Sequence, residues 1–344
     1  MEDLVLEDAR SLTMEEWERW AESRGEQAFR AKQVFQWLHQ KRAQSFEEMT
    51  NLSKALRAKL AEEFEVGVLE TVLVQKSKRD GTRKYLFGLE DGNRIESVYM
   101  PYRDWNAVCI SSQAGCGMGC GFCASTIGGL KRSLTAGEML GQVYEIAGEV
   151  PKVSSVVVMG SGEPLHNLEN LLKFIRIITS PEGMNLSGRG ITVSTCGIVP
   201  KIRELAEEKL PINLAVSLHA ADQEKREMLM PVAREYPLDQ LMDACRDYFS
   251  KTGRRLTFEY ALISGVNDSR DDAVRLCELL HGINCYVNLI PMNPVRESRF
   301  RGPGRQKAEE FRDQLEKRGL SVAIRREMGA DIDGACGQLR ARLR

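Results

Sequence analysis

From residue 107 onward, short apolar, β-branched runs alternate with amphipathic helical stretches, and this alternation restricts the fold more than any other feature of the chain. The runs are Ala107–Ser112, Ser155–Met159, Gly190–Thr195, Ile212–Leu218, Thr257–Ile263, Tyr286–Pro291 and Ser321–Arg325, with helical patterns such as Ala136–Ala147 and Leu238–Tyr248 between them. Strands linked by helices pair in parallel, so the expected fold class is α/β: a (β/α) barrel, closed or partly closed. Chemistry in such barrels gathers at the C-terminal ends of the strands.

The region before the barrel divides in two. Residues 1–66 read as a small helical module. Thr13 and Glu16 make a T-x-x-E capping box before Trp17 and Trp20, and Gly25 ends that helix. A second helix places Phe29, Val34, Phe35 and Leu38 near one face, and a third runs from Ser53 through Leu56, Leu60 and Phe64. Residues 67–101 alternate as strands broken by Arg79-Asp80-Gly81 and Glu90-Asp91-Gly92-Asn93, a β-hairpin connector. The barrel core then spans 102–327, and a tail rich in small residues occupies 328–344.

After the first barrel run comes C-G-M-G-C-G-F-C, with Cys116, Cys120 and Cys123 on one loop. Three thiolates so spaced can hold three irons of a [4Fe–4S] cluster and leave the fourth open to a substrate, whereas an electron relay normally closes the site with four. The same spacing resembles the signature of radical S-adenosylmethionine (SAM) enzymes. The competing readings are three unrelated thiols among the nine cysteines, or part of a zinc site. The other strand ends carry Gly160-Ser161-Gly162-Glu163, Ser194-Thr195-Cys196-Gly197, Ser217-Leu218-His219 and Met292-Asn293. The glycines allow close backbone approach to a ligand, and Glu163 suits an ammonium group. Taken singly, each is more often a turn, a helix cap or a satisfied core histidine.

At 344 residues and 42% hydrophobic, the chain can fill one large core with an appendage. No apolar run reaches membrane-span length, and Met1-Glu2-Asp3 lacks a signal-peptide start, so a reduced, cytoplasmic protein without membrane contact is expected. A net charge of −1 offers nucleic acid no bulk attraction. Any RNA contact must come from clustered cations: the basic N-terminal helices, the run Lys76, Lys78, Arg79, Arg83 and Lys84, and Lys131-Arg132.

Five stretches together resemble the RlmN/Cfr family of radical SAM RNA methyltransferases over nearly the whole chain. They are S-S-Q-A-G-C-G-M-G-C-G-F-C at Ser111–Cys123, G-E-P-L at Gly162–Leu165, S-L-H-A at Ser217–Ala220, N-L-I-P-M-N-P at Asn288–Pro294 and D-I-D-G-A-C-G-Q-L at Asp331–Leu339. G-E-P-L and F-R-A-K-Q-V-F-Q-W-L at Phe29–Leu38 are more similar to the RlmN branch than to Cfr.

The resemblance implies a radical SAM partial (β/α) barrel, a [4Fe–4S] cluster on Cys116, Cys120 and Cys123, and two SAM molecules per turnover. One SAM would methylate Cys336. A second, cleaved reductively to a 5′-deoxyadenosyl radical, would activate that methyl for addition to adenine, and Cys109 would resolve the resulting protein–RNA adduct through a disulfide. Gly162, Glu163, Ser194, Ser217, Leu218, His219 and Asn293 match SAM-binding positions, and Glu96 matches a candidate proton acceptor, although a connector strand end could simply be exposed. The implied partners are 23S ribosomal RNA in its peptidyl-transferase region, transfer RNA beside the anticodon, and an electron donor such as flavodoxin or ferredoxin; a monomer is expected. Methylation at C8 instead of C2, and a non-catalytic RNA-binding iron–sulfur protein, are the alternatives. Ser161, Cys196 and Gly334 depart from the family's usual residues, and Arg325–Gly329 is less basic than usual. Cys245, Cys277 and Cys285 match no functional position and read as core.

Overall fold

The computed structural model describes residues 6–295, 297–339 and 341. One ten-stranded sheet organises them, and its spatial order follows the chain. Three antiparallel strands come first, β1 (Glu70–Lys76), β2 (Arg83–Gly88) and β3 (Arg94–Pro101). Seven more follow: β4 (Asn106–Ile110), β5 (Ser155–Val158), β6 (Ile191–Thr195), β7 (Asn213–Ser217), β8 (Leu256–Leu262), β9 (Cys285–Pro291) and β10 (Val322–Ile324). β4 to β10 pair in parallel, while β3 meets β4 antiparallel with Val98 opposite Cys109. The order starts at β1 and ends at β10 with no pairing between them, so the sheet is a partial barrel.

All seven apolar runs are strands, and in all but the half-buried last one the covered faces select near-continuous Val, Ile, Leu and Ala. Val108, Ile110, Val156, Val158, Val193, Leu214, Val216, Phe258, Val287 and Leu289 are fully buried. The helices α4 (Ala136–Glu149), α5 (Leu168–Thr179), α6 (Val199–Glu207), α8 (Leu238–Thr252), α9 (Arg270–Leu280) and α10 (Arg305–Glu316) cover the outside, with α7 (Gln223–Leu229) after β7. The connector strands extend the barrel sheet directly, turning at Gly81 and Gly92 with φ of +78° and +79°.

The N-terminal module has three helices, α1 (Met14–Ser23), α2 (Ala28–His39) and α3 (Lys54–Glu63). The capping box on α1 forms as the sequence predicts: the Thr13 amide donates to Glu16 Oε2 at 2.8 Å and the Glu16 amide to Thr13 Oγ1 at 3.3 Å. Trp17 packs edge-on to Trp20 at 5.5 Å between ring centroids, and against Phe64 at 5.1 Å. Two expectations change here. Phe29 is half exposed, under the Arg30 guanidinium 4.7 Å from its ring centroid, and the buried face of α2 is made by Ala31, Val34, Phe35, Leu38 and His39. α3 stops at Glu63, and Phe64–Glu65 instead pairs in parallel with Glu7–Asp8. The Asp8 carboxylate accepts from the amides of Arg10 and Gly67, while buried Arg10 donates to the carbonyls of Gly67 and Ala43. Those long-range contacts supply what a two-residue strand cannot announce in sequence.

The module docks on α4. His39 Nδ1 lies 2.9 Å from the Tyr144 hydroxyl, and the Gly137 amide donates to Ser11 Oγ at 2.9 Å. A Cβ on Gly137 would stand 1.8 Å from Asp8 Oδ2, so only glycine permits this approach. Trp17→Ala should cost about 3–5 kcal/mol, a large aromatic truncation in a closed core, whereas Phe29→Ala should stay within about 0.5 kcal/mol. Urea unfolding midpoints of the two variants would check both figures.

Candidate functional site

Every strand-end loop is stitched to its neighbour. A Cβ on Gly160 would meet the Ile110 carbonyl oxygen at 2.7 Å, so glycine lets the end of β5 close on the end of β4. Gly162 has φ of +105°, and a Cβ there would lie 2.6 Å from Gln113 Cβ. Gln113 Oε1 in turn accepts from the Glu163 amide at 2.9 Å. The buried Glu163 carboxylate accepts from the Leu165 amide at 2.9 Å and the Cys196 amide at 2.7 Å, tying the β5 loop to the β6 loop. A carboxylate has about four acceptor positions, so further donors can still be received.

The cysteine loop leaves β4 through a short antiparallel pair, Gln113–Gly115 with Leu130–Ser133. Gly115 sits at φ +76°, where a Cβ would reach 2.1 Å from the Gly129 carbonyl oxygen. The Cys123 amide donates to the Cys120 carbonyl at 3.1 Å, and Thr126 Oγ1 donates to the Cys123 carbonyl at 2.9 Å. Cys116, Cys120 and Cys123 all face one cavity of about 240 Å³. Burial is the main cause raising all three thiols, with Cys123 pushed up to about 11. Bare thiolates would be costly there, and coordination to a cation reverses that preference.

The same cavity brings together Gly162, Glu163, Ser194, Ser217, His219 and Asn293. Leu218 stands apart, its side chain fully buried away from the cavity and its amide donating to the Glu259 carbonyl at 3.0 Å. His219 has φ of +58°, and its Nδ1 accepts from the Ala261 amide at 2.8 Å, which assigns the proton to Nε2. Its ring meets Phe122 edge-on at 4.8 Å. Burial first, then the Arg226 charge, lowers His219 to about 3.

Cys109 and Cys336 line this cavity too. Burial pushes Cys109 up to about 12 and also raises Cys336, while the Arg325 guanidinium opposes both shifts. The tail lies across the cysteine loop. The Ala124 amide donates to the Gly337 carbonyl at 2.8 Å, Ser125 Oγ to the Leu339 carbonyl at 2.8 Å, and Asn293 Nδ2 to the Cys336 carbonyl at 3.1 Å. Asn293 therefore holds the tail as well as facing the cavity.

Glu96 is not at an exposed strand end. It is 2% exposed, lies 3.2 Å from Lys84 Nζ, and accepts from the Ala341 amide at 2.9 Å, away from the cavity lining. Three of the basic candidates are likewise engaged within the fold, Arg83 at 3.9 Å from Glu149 among them. Lys84 is buried and also donates to the Asp333 carbonyl at 3.2 Å, and Arg132 pairs with both Glu138 and Asp91. Lys76, Lys78, Arg79 and Lys131 are exposed. Cys245 and Cys285 are buried core residues, and Cys277 is half-buried.

Sequence reasoning passed over several groups in the cavity. Glu259 accepts from Asn288 Nδ2 at 2.8 Å and faces Arg325 at 3.9 Å, and Arg325 reaches the Met159 sulfur at 3.2 Å. A glutamate inside the apolar run of β8 was the available signal for this group. Cys196 Sγ lies 3.2 Å from the Met118 sulfur.

The partial barrel and its three-cysteine loop define the radical SAM class, and residues 110–277 match the model of the radical SAM superfamily. Residues 9–66 match the "Ribosomal RNA large subunit methyltransferase N-terminal domain". The chain is 54% identical over 338 residues to the "Probable dual-specificity RNA methyltransferase RlmN" of Lachnospira eligens, covering 97% of this chain and 96% of the relative. A relative of the same name from Geobacillus kaustophilus is 51% identical, covering 97% and 92%. The crystal structure of a radical SAM methyltransferase from Sphaerobacter thermophilus superposes with a TM-score of 0.92 at 43% identity, covering 98% of this chain and 100% of that one. The chain belongs to the RlmN family of radical SAM methyltransferases, whose cofactors are a [4Fe–4S] cluster and SAM.

His219 and His39 are both lowered to about 3, chiefly by burial. An unfolded histidine binds its proton below about pH 6.5, so the stability linked to both is complete above that pH and is lost as pH falls toward 3. Ring nitrogen shifts of His219 should therefore report a neutral, Nε2-protonated imidazole at about pH 5, and a cationic ring there would contradict the burial argument.

Proposed function

We propose that this chain methylates C2 of an adenosine in the peptidyl-transferase region of 23S ribosomal RNA, and an adenosine beside the anticodon in transfer RNA, with Cys336 as methyl carrier and Cys109 as resolving thiol. One observation carries the reading: Cys109 and Cys336 share a cavity with Cys116, Cys120, Cys123 and the SAM-position residues. The names of the relatives support RNA as the substrate class.

Cys116, Cys120 and Cys123 would hold the cluster. When bound, the cluster supplies the electron and the open iron that make SAM a radical source. Gly162, Glu163, Ser194, Ser217, His219 and Asn293 would orient SAM, two molecules per turnover, with Leu218 contributing only through its backbone. Cys336 accepts a methyl group from one SAM by displacement and carries it as a thioether. After that carbon has given up one hydrogen atom to the SAM-derived radical and bonded to adenine as a methylene bridge, the Cys109 thiolate attacks the Cys336 sulfur. An S–S bond forms, the carbon–sulfur bond breaks, and its electron pair stays with the carbon on the base, which takes up a proton to become the new methyl group. An external electron donor such as flavodoxin or ferredoxin supplies the electrons that reset both the cluster and the disulfide, the latter taking two electrons and two protons to return to thiols.

With the tail seated, the cavity of about 240 Å³ is smaller than the roughly 300–1,000 Å³ of usual ligand pockets. Glu96, the candidate proton acceptor, accepts from the Ala341 amide at 2.9 Å and lies 3.2 Å from Lys84 Nζ, outside the cavity lining. Lys76, Lys78, Arg79 and Lys131, with Lys32 and Lys41 of the N-terminal module, are exposed cations available for phosphate contacts. The chain is proposed to act as a monomer.

Anaerobic incubation of reconstituted protein with reductant, methyl-labelled SAM and unmethylated RNA should yield labelled 2-methyladenosine in a nuclease digest. Cys336→Ala should abolish transfer, and Cys109→Ala should trap protein covalently on RNA. Labelled 8-methyladenosine would move the activity to the other branch of the family, and full transfer by Cys336→Ala would sink the carrier role.

A further inference from the structure

Arg226, on α7, is fully buried, yet among the described residues no carboxylate pairs with it. Its Nη2 donates to the Cys196 carbonyl at 2.8 Å and its Nη1 reaches the Tyr236 carbonyl at 3.5 Å, while Nε is buried with no hydrogen-bond partner. The titratable groups that sense it are the thiols of Cys196, Cys120 and Cys245 and the His219 ring. Arginine stays protonated in proteins, so the cation cannot escape burial by losing its proton. A buried guanidinium with only carbonyl partners calls for an anion nearby.

The fold places such an anion on one side. α7 and the residues after it pack directly beneath the cysteine loop: the Gly121 amide donates to the Leu229 carbonyl at 3.0 Å, and Pro231 lies 3.4 Å from where a Gly119 Cβ would stand. Three thiolates make a [4Fe–4S] centre anionic overall, and every added electron deepens that charge. We propose that Arg226 is the buried counter-charge of the cluster, stabilising the reduced state most and so raising the potential at which the cluster accepts its electron. This rests on the reading that Cys116, Cys120 and Cys123 hold the cluster. Arg226 is outside the cavity lining, so it acts through the cluster's field and not by touching SAM or RNA.

The test is an anaerobic redox titration of reconstituted protein, followed by the electron paramagnetic resonance of the reduced cluster, after iron and sulfide analysis has established loading. Arg226→Met should lower the midpoint so that, at the wild-type midpoint, the reduced-to-oxidised ratio falls at least tenfold, a shift of about 59 mV for one electron. Arg226→Lys, which keeps the charge, should stay close to wild type. A merely structural arginine would alter melting temperature in both variants and leave the midpoint in place. A folded, fully loaded Arg226→Met protein with the wild-type midpoint overturns the proposal. Should that variant not fold, Cys245→Asp decides, because it sets a carboxylate beside the guanidinium from α8 and must also lower the midpoint; an unchanged value there overturns the proposal equally. Wild-type protein that binds no cluster defeats the ligand reading itself, and the loading analysis separates that failure from the other.

Discussion

The chemistry depends on how the tail is seated over the barrel mouth. Met328 and Leu339, 4% and 5% exposed, pack with Val98, Met100, Ala107 and Cys109, anchoring both ends of the segment that carries Cys336. Burying side chains of that size contributes about 1.5–3 kcal/mol each. Polar ties add direction: the Gly329 amide donates to Asp80 at 2.9 Å, Ser77 Oγ to Asp331 at 2.7 Å, and Gln338 Nε2 to the Pro294 carbonyl at 3.0 Å. Gly329 and Gly337 take φ of +66° and +82°, turns that reverse the chain tightly enough to bring Cys336 back over the cavity. The hairpin between β1 and β2 thus serves as a latch, since Ser77, Lys78 and Asp80 all hold tail residues. Each of these hydrogen bonds ends on an aspartate carboxylate, where a bond contributes about 1.5–3 kcal/mol.

Desolvation is the second constraint. Every thiol at the mouth is raised by burial, so nucleophilic or ligating use of any one needs a compensating positive charge. The fold supplies two guanidiniums for this, Arg325 in the cavity lining and Arg226 outside it. Arg325 opposes the burial shifts of Cys109 and Cys336 and is itself balanced by Glu259. Arg226 faces Cys120 and Cys196 with no such balance among the described residues. The two sulfur chemistries proposed for this cavity, methyl carriage and cluster ligation, thus have separate electrostatic supports.

Much of this was legible in the sequence, for identifiable reasons. Strands buried on both faces must be apolar throughout, so β4 to β9 were visible as runs, overshooting only where a run continued into a loop, as at Ser111-Ser112 and Leu218. The three-cysteine loop and the strand-end glycines were visible because spacing and backbone freedom are local properties. What escaped was set by partners distant in the chain. Lys84 and Arg132 look like surface cations until Glu96, Glu138 and Asp91 are brought to them. Phe29 has helical spacing with Val34, Phe35 and Leu38, yet ends half exposed at the start of α2. Glu259, Arg325 and Arg226 gain their meaning only where the barrel closes around them.

The most direct test of the account is peptide mass spectrometry of the reconstituted protein after incubation with methyl-labelled SAM and reductant, without RNA. A single labelled methyl group on the sulfur of Cys336, absent when the cluster cysteines are replaced, is the predicted result. Label on another residue, or an unmodified Cys336 in protein whose cluster is intact and which consumes SAM, would contradict it.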